Sequence, residues 1–190
     1  LLPDFLKLLF LKSAEGAFAA IWQRCVSTEK EVIIVDFKQL LKNDFIILDG
    51  AMGTMLQAAG LEAGGIPELL NITDPELIEN IHKKYIEAGS DIVYANTFGA
   101  NRYKLKNHSV DEIIGAGIAI AKRACNGKAL AALDIGPIGQ LLEPTGTLKF
   151  EEAYDIFKEQ IIAGHDADVI VFETMTDLYE LKAAVLAGRG

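Results

Sequence analysis

Residues 45–49 read FIILD, four apolar side chains stopped by one acid. The design returns as IVYAN at 92–96, ALAALD at 129–134 and VIVFE at 169–173. Runs this short, partly β-branched and without polar alternation, predict strands buried on both faces. Helical patterns separate them, and parallel strands need such crossovers. Parallel pairing would bring Asp49, Asn96, Asp134 and Glu173 to one side of the sheet, and in α/β barrels that side carries the chemistry.

The four polar ends are spaced 47, 38 and 39 residues apart, a period of strand–helix units rather than of a solenoid repeat. Four such units are half of an eight-fold barrel. The expected fold is therefore α/β: a (β/α)8 TIM-type barrel truncated to about its first four β/α units. A half barrel leaves two strand edges unpaired, which predicts marginal stability or self-association.

Working outward, Phe37 to Asn43 predicts a short lead-in helix. Asp74 and Pro75 suit the N-cap and first position of a helix that buries Leu77, Ile78, Ile81 and Tyr85, with Gly89 ending it in a left-handed turn. Ser109 to Glu112 form a capping-box pattern, and Ile113, Gly117, Ile120 and Ala124 line one face beyond it. Phe150, Ala153, Tyr154, Phe157 and Ile161 recur at helical spacing before Gly164, as core rather than a cofactor box. A fourth helix begins near Thr176, with Leu178, Leu181 and Val185 inward.

Residues 1–34 lack this rhythm and read as an N-terminal extension, leaving 35–190 as the barrel half. Leu6, Phe10, Ala14 and Ala17 predict a helical face, and Val32 to Val35 a short strand. The chain starts at Leu1 and stops at Gly190 just after a helical pattern, so both ends read as cut.

The chain has 190 residues, 51% of them hydrophobic, which excludes disorder. A net charge of −9 without a basic stripe argues against a nucleic-acid partner. No apolar run is long enough to span a bilayer, and residues 1–26 carry too many charges for a good signal peptide. Cys25 and Cys125 stand far apart and outside any CxxC arrangement, which excludes a disulfide scaffold and a multi-cysteine metal site. Both read as small buried hydrophobes in a reducing, cytoplasmic setting.

Asp49-Gly50-Ala51-Met52-Gly53-Thr54 follows the first run directly. Small residues let backbone amides approach a small anion such as an amino-acid carboxylate; a plain tight turn is the bland alternative. The stretch has neither the glycine spacing of a dinucleotide fold nor the Lys-Ser/Thr of a phosphate loop. Glu173, at the end of an apolar strand, needs a cationic partner: a substrate ammonium, or a neighbouring Lys or Arg. Asn96 and Asp134 fit ligand contact or loop-holding caps equally well. His82, His108 and His165 lie away from the strand ends and read as surface or helix-end residues.

Taken in order, ILDGAMGTMLQ (Ile47 to Gln57), PELLNITDPELIENIHKKYIEAGSDIVYANTFGANRYKL (Pro67 to Leu105), LDIGPIG (Leu133 to Gly139) and DVIVFETMTDLYELKAAVLAGR (Asp168 to Arg189) resemble the homocysteine S-methyltransferase family. They are most similar to the homocysteine-binding module of cobalamin-dependent methionine synthase. The resemblance covers residue 36 onward and implies an eight-stranded α/β barrel. It implies that Asp49 and the Gly50 and Ala51 amides bind the amino-acid end of homocysteine, that Glu173 holds its ammonium, and that Asn96 and Asp134 share the rim. Ile138 departs from the Thr that many relatives carry in a Gly-Pro-Thr-Gly turn.

The resemblance further implies a zinc ion on three cysteines expected beyond residue 190 and a methyl donor that is methylcobalamin, S-methylmethionine or betaine; the long match favours the cobalamin type, with cobalamin and methyltetrahydrofolate serving through downstream modules. Zinc would hold the homocysteine sulfur as a thiolate for attack on a methyl donor. On that reading the full-length protein is a methyltransferase and this chain an inactive fragment. Two other classes remain: a non-catalytic amino-acid-binding or assembly half-barrel, and a metal-independent enzyme using Asp49, Asp134 and Glu173 as acid and base.

Overall fold

The computed structural model describes residues 9–12, 18–23, 37–43, 45–62 and 64–189, the first two segments by backbone alone. Three parallel strands form its centre: β3 (Ile92–Tyr94), β4 (Leu130–Ile135) and β5 (Val169–Phe172). Their register pairs Ile92 with Leu130, Tyr94 with Ala132, and Asp134 with Val171. The order is sequential, as βαβ crossovers on one face require.

The first apolar run departs from expectation. Phe45 to Leu48 is extended but makes only one parallel bridge, Leu48 to Ile92. Phe45 is 77% and Ile47 50% exposed, so this run is an edge and not a strand buried on both faces. The far edge is also unlike a half barrel. Strands β1 (Leu9–Lys12) and β2 (Phe18–Gln23) form an antiparallel hairpin, and β2 pairs antiparallel with β5, Ala20 opposite Phe172. One of the two edges expected to be open is thereby covered. Phe10 lies in β1 and not on a helix; Leu6, Ala14, Ala17 and Val32 to Val35 fall outside the described residues.

Helices α1 (Phe37–Leu40), α2 (Met52–Ala58), α3 (Leu70–Thr73) and α4 (Pro75–Glu87) come before β3, with a 3-10 turn at Pro67–Leu69. Helices α5 (Arg102–Leu105) and α6 (Val110–Cys125) link β3 to β4; α7 (Phe150–Ala163) links β4 to β5, and α8 (Leu178–Ala187) follows. The N-caps are at the residues the sequence indicated, although at Ser109 only the hydroxyl half of the capping box forms among the described residues. Asp74 Oδ1 accepts from the Leu77 N–H at 3.2 Å, and Ser109 Oγ from the Glu112 N–H at 3.2 Å. Gly89 has φ +106°.

Alternation along the strands divides the core. On the outer face Val93, Ala131, Leu133, Ile135 and Phe172 pack with Ile114 and Ile118 of α6, Ile156 and Phe157 of α7, and Ala184 of α8. On the inner face Ile92, Leu130, Ala132, Val169 and Val171 meet Phe37 and Leu40 of α1. Leu178, expected inward, is 77% exposed; α8 instead buries Glu180, Leu181, Ala183 and Ala184. Asp177 caps this helix through the Tyr179 N–H, so Leu178 opens the first turn and faces solvent. Among the described residues no helix is long and apolar enough to cross a membrane.

Candidate functional site

Two-residue alternation places Asp134 above Leu130 and Ala132, and Glu173 above Val169 and Val171, all on the inner face. Both carboxylates therefore stand at the C-terminal end of an apolar surface. Asp49 joins them from the first run. Its N–H donates to the Ile92 carbonyl at 3.1 Å, and its Oδ2 accepts from the Tyr94 N–H at 3.0 Å.

The environment opposes ionisation of all three. Burial pushes Asp49 up to about 7, with Glu173 adding to the shift and the N–H bonds opposing it. Asp134 is 6% exposed and its Oδ1 has no hydrogen-bond partner among the described residues. Burial, followed by the charges of Glu173, Asp49 and Glu68, holds it well above the carboxylate range. Glu173 is half-buried and raised by burial as well. None of the three is ion-paired among the described residues. Tyr94, also on the inner face, has its phenol raised by burial and by the same three acids. An unpaired buried acid cluster of this kind is complementary to a cation with several N–H donors.

Gly50 and Ala51 are exposed beside it. A Cβ on Gly50 would come within 2.9 Å of Tyr85 Cε1, so only glycine lets the loop lie against that ring. Tyr85 Oη donates to the Ala51 carbonyl at 3.3 Å, and the Gly50 and Ala51 amides themselves have no acceptors among the described residues.

Asn96 has a different role. Its Nδ2 donates to the Pro67 carbonyl at 2.8 Å and to Asn71 Oδ1 at 3.0 Å, while Asn71 Nδ2 donates back to the Asn96 carbonyl at 2.8 Å. The side-chain amide nitrogen pins the 3-10 turn to the end of β3, the loop-holding role that the sequence left open beside ligand contact. Thr97, a rim position to which the sequence assigned no role, clasps Asp134: its Oγ1 donates to the Asp134 carbonyl at 2.9 Å and accepts the Asp134 N–H at 3.1 Å. Its position directly after a strand-end residue was the only available signal.

A family model for the homocysteine S-methyltransferases matches residues 46–190. The chain belongs to the homocysteine S-methyltransferase family. All six of the residues singled out at the rim lie within the family match. The chain is 36% identical over 183 residues to the methionine synthase of Mycobacterium tuberculosis, covering 86% of this chain and 15% of that protein. It is likewise 36% identical over 174 residues to the methionine synthase of Mycobacterium leprae, covering 81% and 14%. The chain thus spans about a seventh of the length of these relatives. Among solved structures, the metallated form of the homocysteine methyltransferase MmuM from Escherichia coli superposes with a TM-score of 0.69 at 22% identity, covering 80% of this chain and 62% of that one. Its apo form gives 0.61 at 23% identity, covering 78% and 56%. At these identities the likeness supports the α/β fold.

A metal finds no donor set among the described residues: no group of three or more His, Cys, Asp or Glu side chains there could hold one. Cys125 is buried at the end of α6, its thiol pushed up to about 12 by burial, so it stays protonated. Cys25 lies outside the described residues. His108 and His165 are exposed, as expected, but His82 is fully buried within α4, neither at the surface nor at a helix end.

Proposed function

We propose that this chain provides the amino-acid-binding portion of a homocysteine S-methyltransferase that makes methionine. The observation that carries the reading is the trio Asp49, Asp134 and Glu173, unpaired at one end of the sheet in a chain of this family. A substrate ammonium entering the trio donates to Glu173 and Asp49 and supplies the missing countercharge. The substrate carboxylate then meets the open Gly50 and Ala51 amides. Asp134 and Tyr94 form the floor beneath the ammonium and exclude water from it. With both ends of the amino acid held, the thiol-bearing arm projects away from the sheet toward the methyl donor.

In the transfer itself a sulfur electron pair forms the S–CH3 bond as the donor–CH3 bond breaks, the bonding pair stays with the donor as leaving group, and the thiol proton passes to solvent. Zinc finds no donor set among the described residues, and the residues named above act on the amino-acid end of the substrate.

The test is titration calorimetry of the whole chain with L-homocysteine. One saturable site is expected, with affinity lowered at least about tenfold by Glu173→Gln, since a charge-assisted hydrogen bond is lost. A folded wild-type chain that gives no saturable heat would overturn the reading.

A further inference from the structure

Two more buried acids, Glu68 and Glu180, lie outside the trio and have no part in the binding just proposed. Each accepts from one backbone amide of a different rim loop. Glu68 Oε1 accepts the Gly99 N–H at 2.6 Å, in the loop after β3. Glu180 Oε1, on α8, accepts the Ile138 N–H at 2.8 Å, in the loop after β4. Half-buried Lys104 stands close enough for its charge to act on both acids, its Nζ donating to the Pro137 carbonyl at 2.8 Å and lying 5.3 Å from the centre of the Phe98 ring.

Phe98 completes the clasp. Its ring lies where a Cβ on Gly136 would be, and its carbonyl accepts the Gly136 N–H at 3.0 Å. Three consecutive residues after β4 are thus held from three directions: Gly136 by Phe98, Pro137 by Lys104, and Ile138 by Glu180. Apolar packing would hold a loop without desolvating charges. A buried carboxylate that accepts from one specific amide also fixes the loop's direction.

We propose that Glu180 and Glu68, with Lys104 between them, are positioning residues that lock the loops after β3 and β4, and so set where Asp134 stands relative to Glu173. The link is short on both sides. Asp134 lies two residues before Gly136, and the stretch from Glu173 to Asp177 leads into α8, which carries Glu180. Glu180 therefore ties the segment bearing one acid to the segment bearing the other. The function assigned to the clasp rests on the amino-acid-binding reading above; the clasp itself does not.

The experiment compares Glu180→Leu and Glu180→Gln in the whole chain, by L-homocysteine affinity and by amide hydrogen exchange. Glu180→Leu is expected to lose at least about tenfold in affinity, the loss typical of a buried charged hydrogen bond. It should also speed exchange at Gly99 and Gly136, neither of which hydrogen-bonds residue 180. Glu180→Gln keeps an acceptor for the Ile138 N–H and should restore affinity to within about threefold. If Glu180→Leu fails to fold, Lys104→Met replaces it with the same expectation at Gly136 and Ile138. Faster exchange confined to Ile138, or unchanged affinity in a wild type that binds, would overturn the proposal. A wild type that does not bind at all would sink the amino-acid reading, while exchange at Gly99 and Gly136 would still decide the clasp.

Discussion

Asp49 shows how burial without a counterion becomes measurable. Its carboxyl titrates near 7 in the folded chain against an ordinary 3.8, with burial as the leading cause. Between these values the folded state keeps a proton that the unfolded chain has released, so stability falls as pH rises through that window. Asp134 and Glu173 are shifted in the same direction and steepen the fall. Among the described residues the groups facing them are Tyr94 and Glu68, and neither brings a positive charge. Urea unfolding from about pH 5 to about pH 8 is expected to show declining stability, with a shallower decline in Asp49→Asn. Identical slopes would mean that Asp49 is not desolvated. A bound ammonium reverses the shift, so ligand binding near pH 6.5 should release protons. L-Homoserine is the clean probe, having the same amino-acid end and no thiol proton. Calorimetry in buffers of different ionisation enthalpy gives the proton count, and uptake or no exchange would place the ammonium elsewhere. Asp49, Asp134 and Glu173 were legible because each is the one polar residue closing an apolar run. Asn96 has the same signature, yet its amide is bound to Pro67 and Asn71, 29 and 25 residues earlier. No local pattern distinguishes those two fates.

Helices show a similar division between local and distant causes. The capped starts of α4 and α6 were readable because a cap is decided within four residues. What a helix buries depends on its neighbours. His82 looks like a surface position, but α4 turns it inward, fully buried with both ring nitrogens lacking partners among the described residues. Burial lowers it to about 4 from 6.5. The sign is opposite to that of Asp49: as pH falls below about 6.5 the unfolded chain takes up the proton first, and stability is lost down to the folded value, by about 3 kcal/mol in all. His82→Leu should remove that acid-side loss and add about 1–2 kcal/mol near neutrality, where an unsatisfied polar ring is replaced by an apolar one. Because the acid trio works in the opposite direction over the same range, both effects are read as differences from wild type: denaturant unfolding should show the variant's advantage growing from pH 7 to pH 5, and an advantage equal at both values would mean that His82 does not titrate there. Glu68 and Glu180 were unreadable for a related reason. Both occupy helical turns whose charged residues normally face water, and only packing against the loops at Gly99 and Ile138 turns them inward.

Across the whole molecule the sheet is asymmetric. At one side β2 pairs with β5 and covers its edge. At the other, the Ile47 N–H donates to Asp91 Oδ2 and the Ile47 carbonyl accepts from Asp91 and Ile92, so its polar groups face β3. Those of Ile46 and Leu48 point outward and have no partner among the described residues. The side chains of Phe45 and Ile47 flank this row and are largely exposed. Unpaired amides beside exposed apolar side chains form a template for another strand, and a lysine on such an edge is an effective block. The chain is therefore expected to self-associate with concentration through residues 45–48, detected by sedimentation velocity. Phe45→Lys combined with Ile47→Lys should return it to monomer without loss of L-homoserine binding, because neither side chain belongs to the inner-face cluster beneath the trio. A wild type that stays monomeric, or a double variant that still associates, would show that this edge is covered in solution. Loss of ligand binding in the monomeric variant would instead mean that the edge helps to hold Asp49, one residue beyond Leu48, in place.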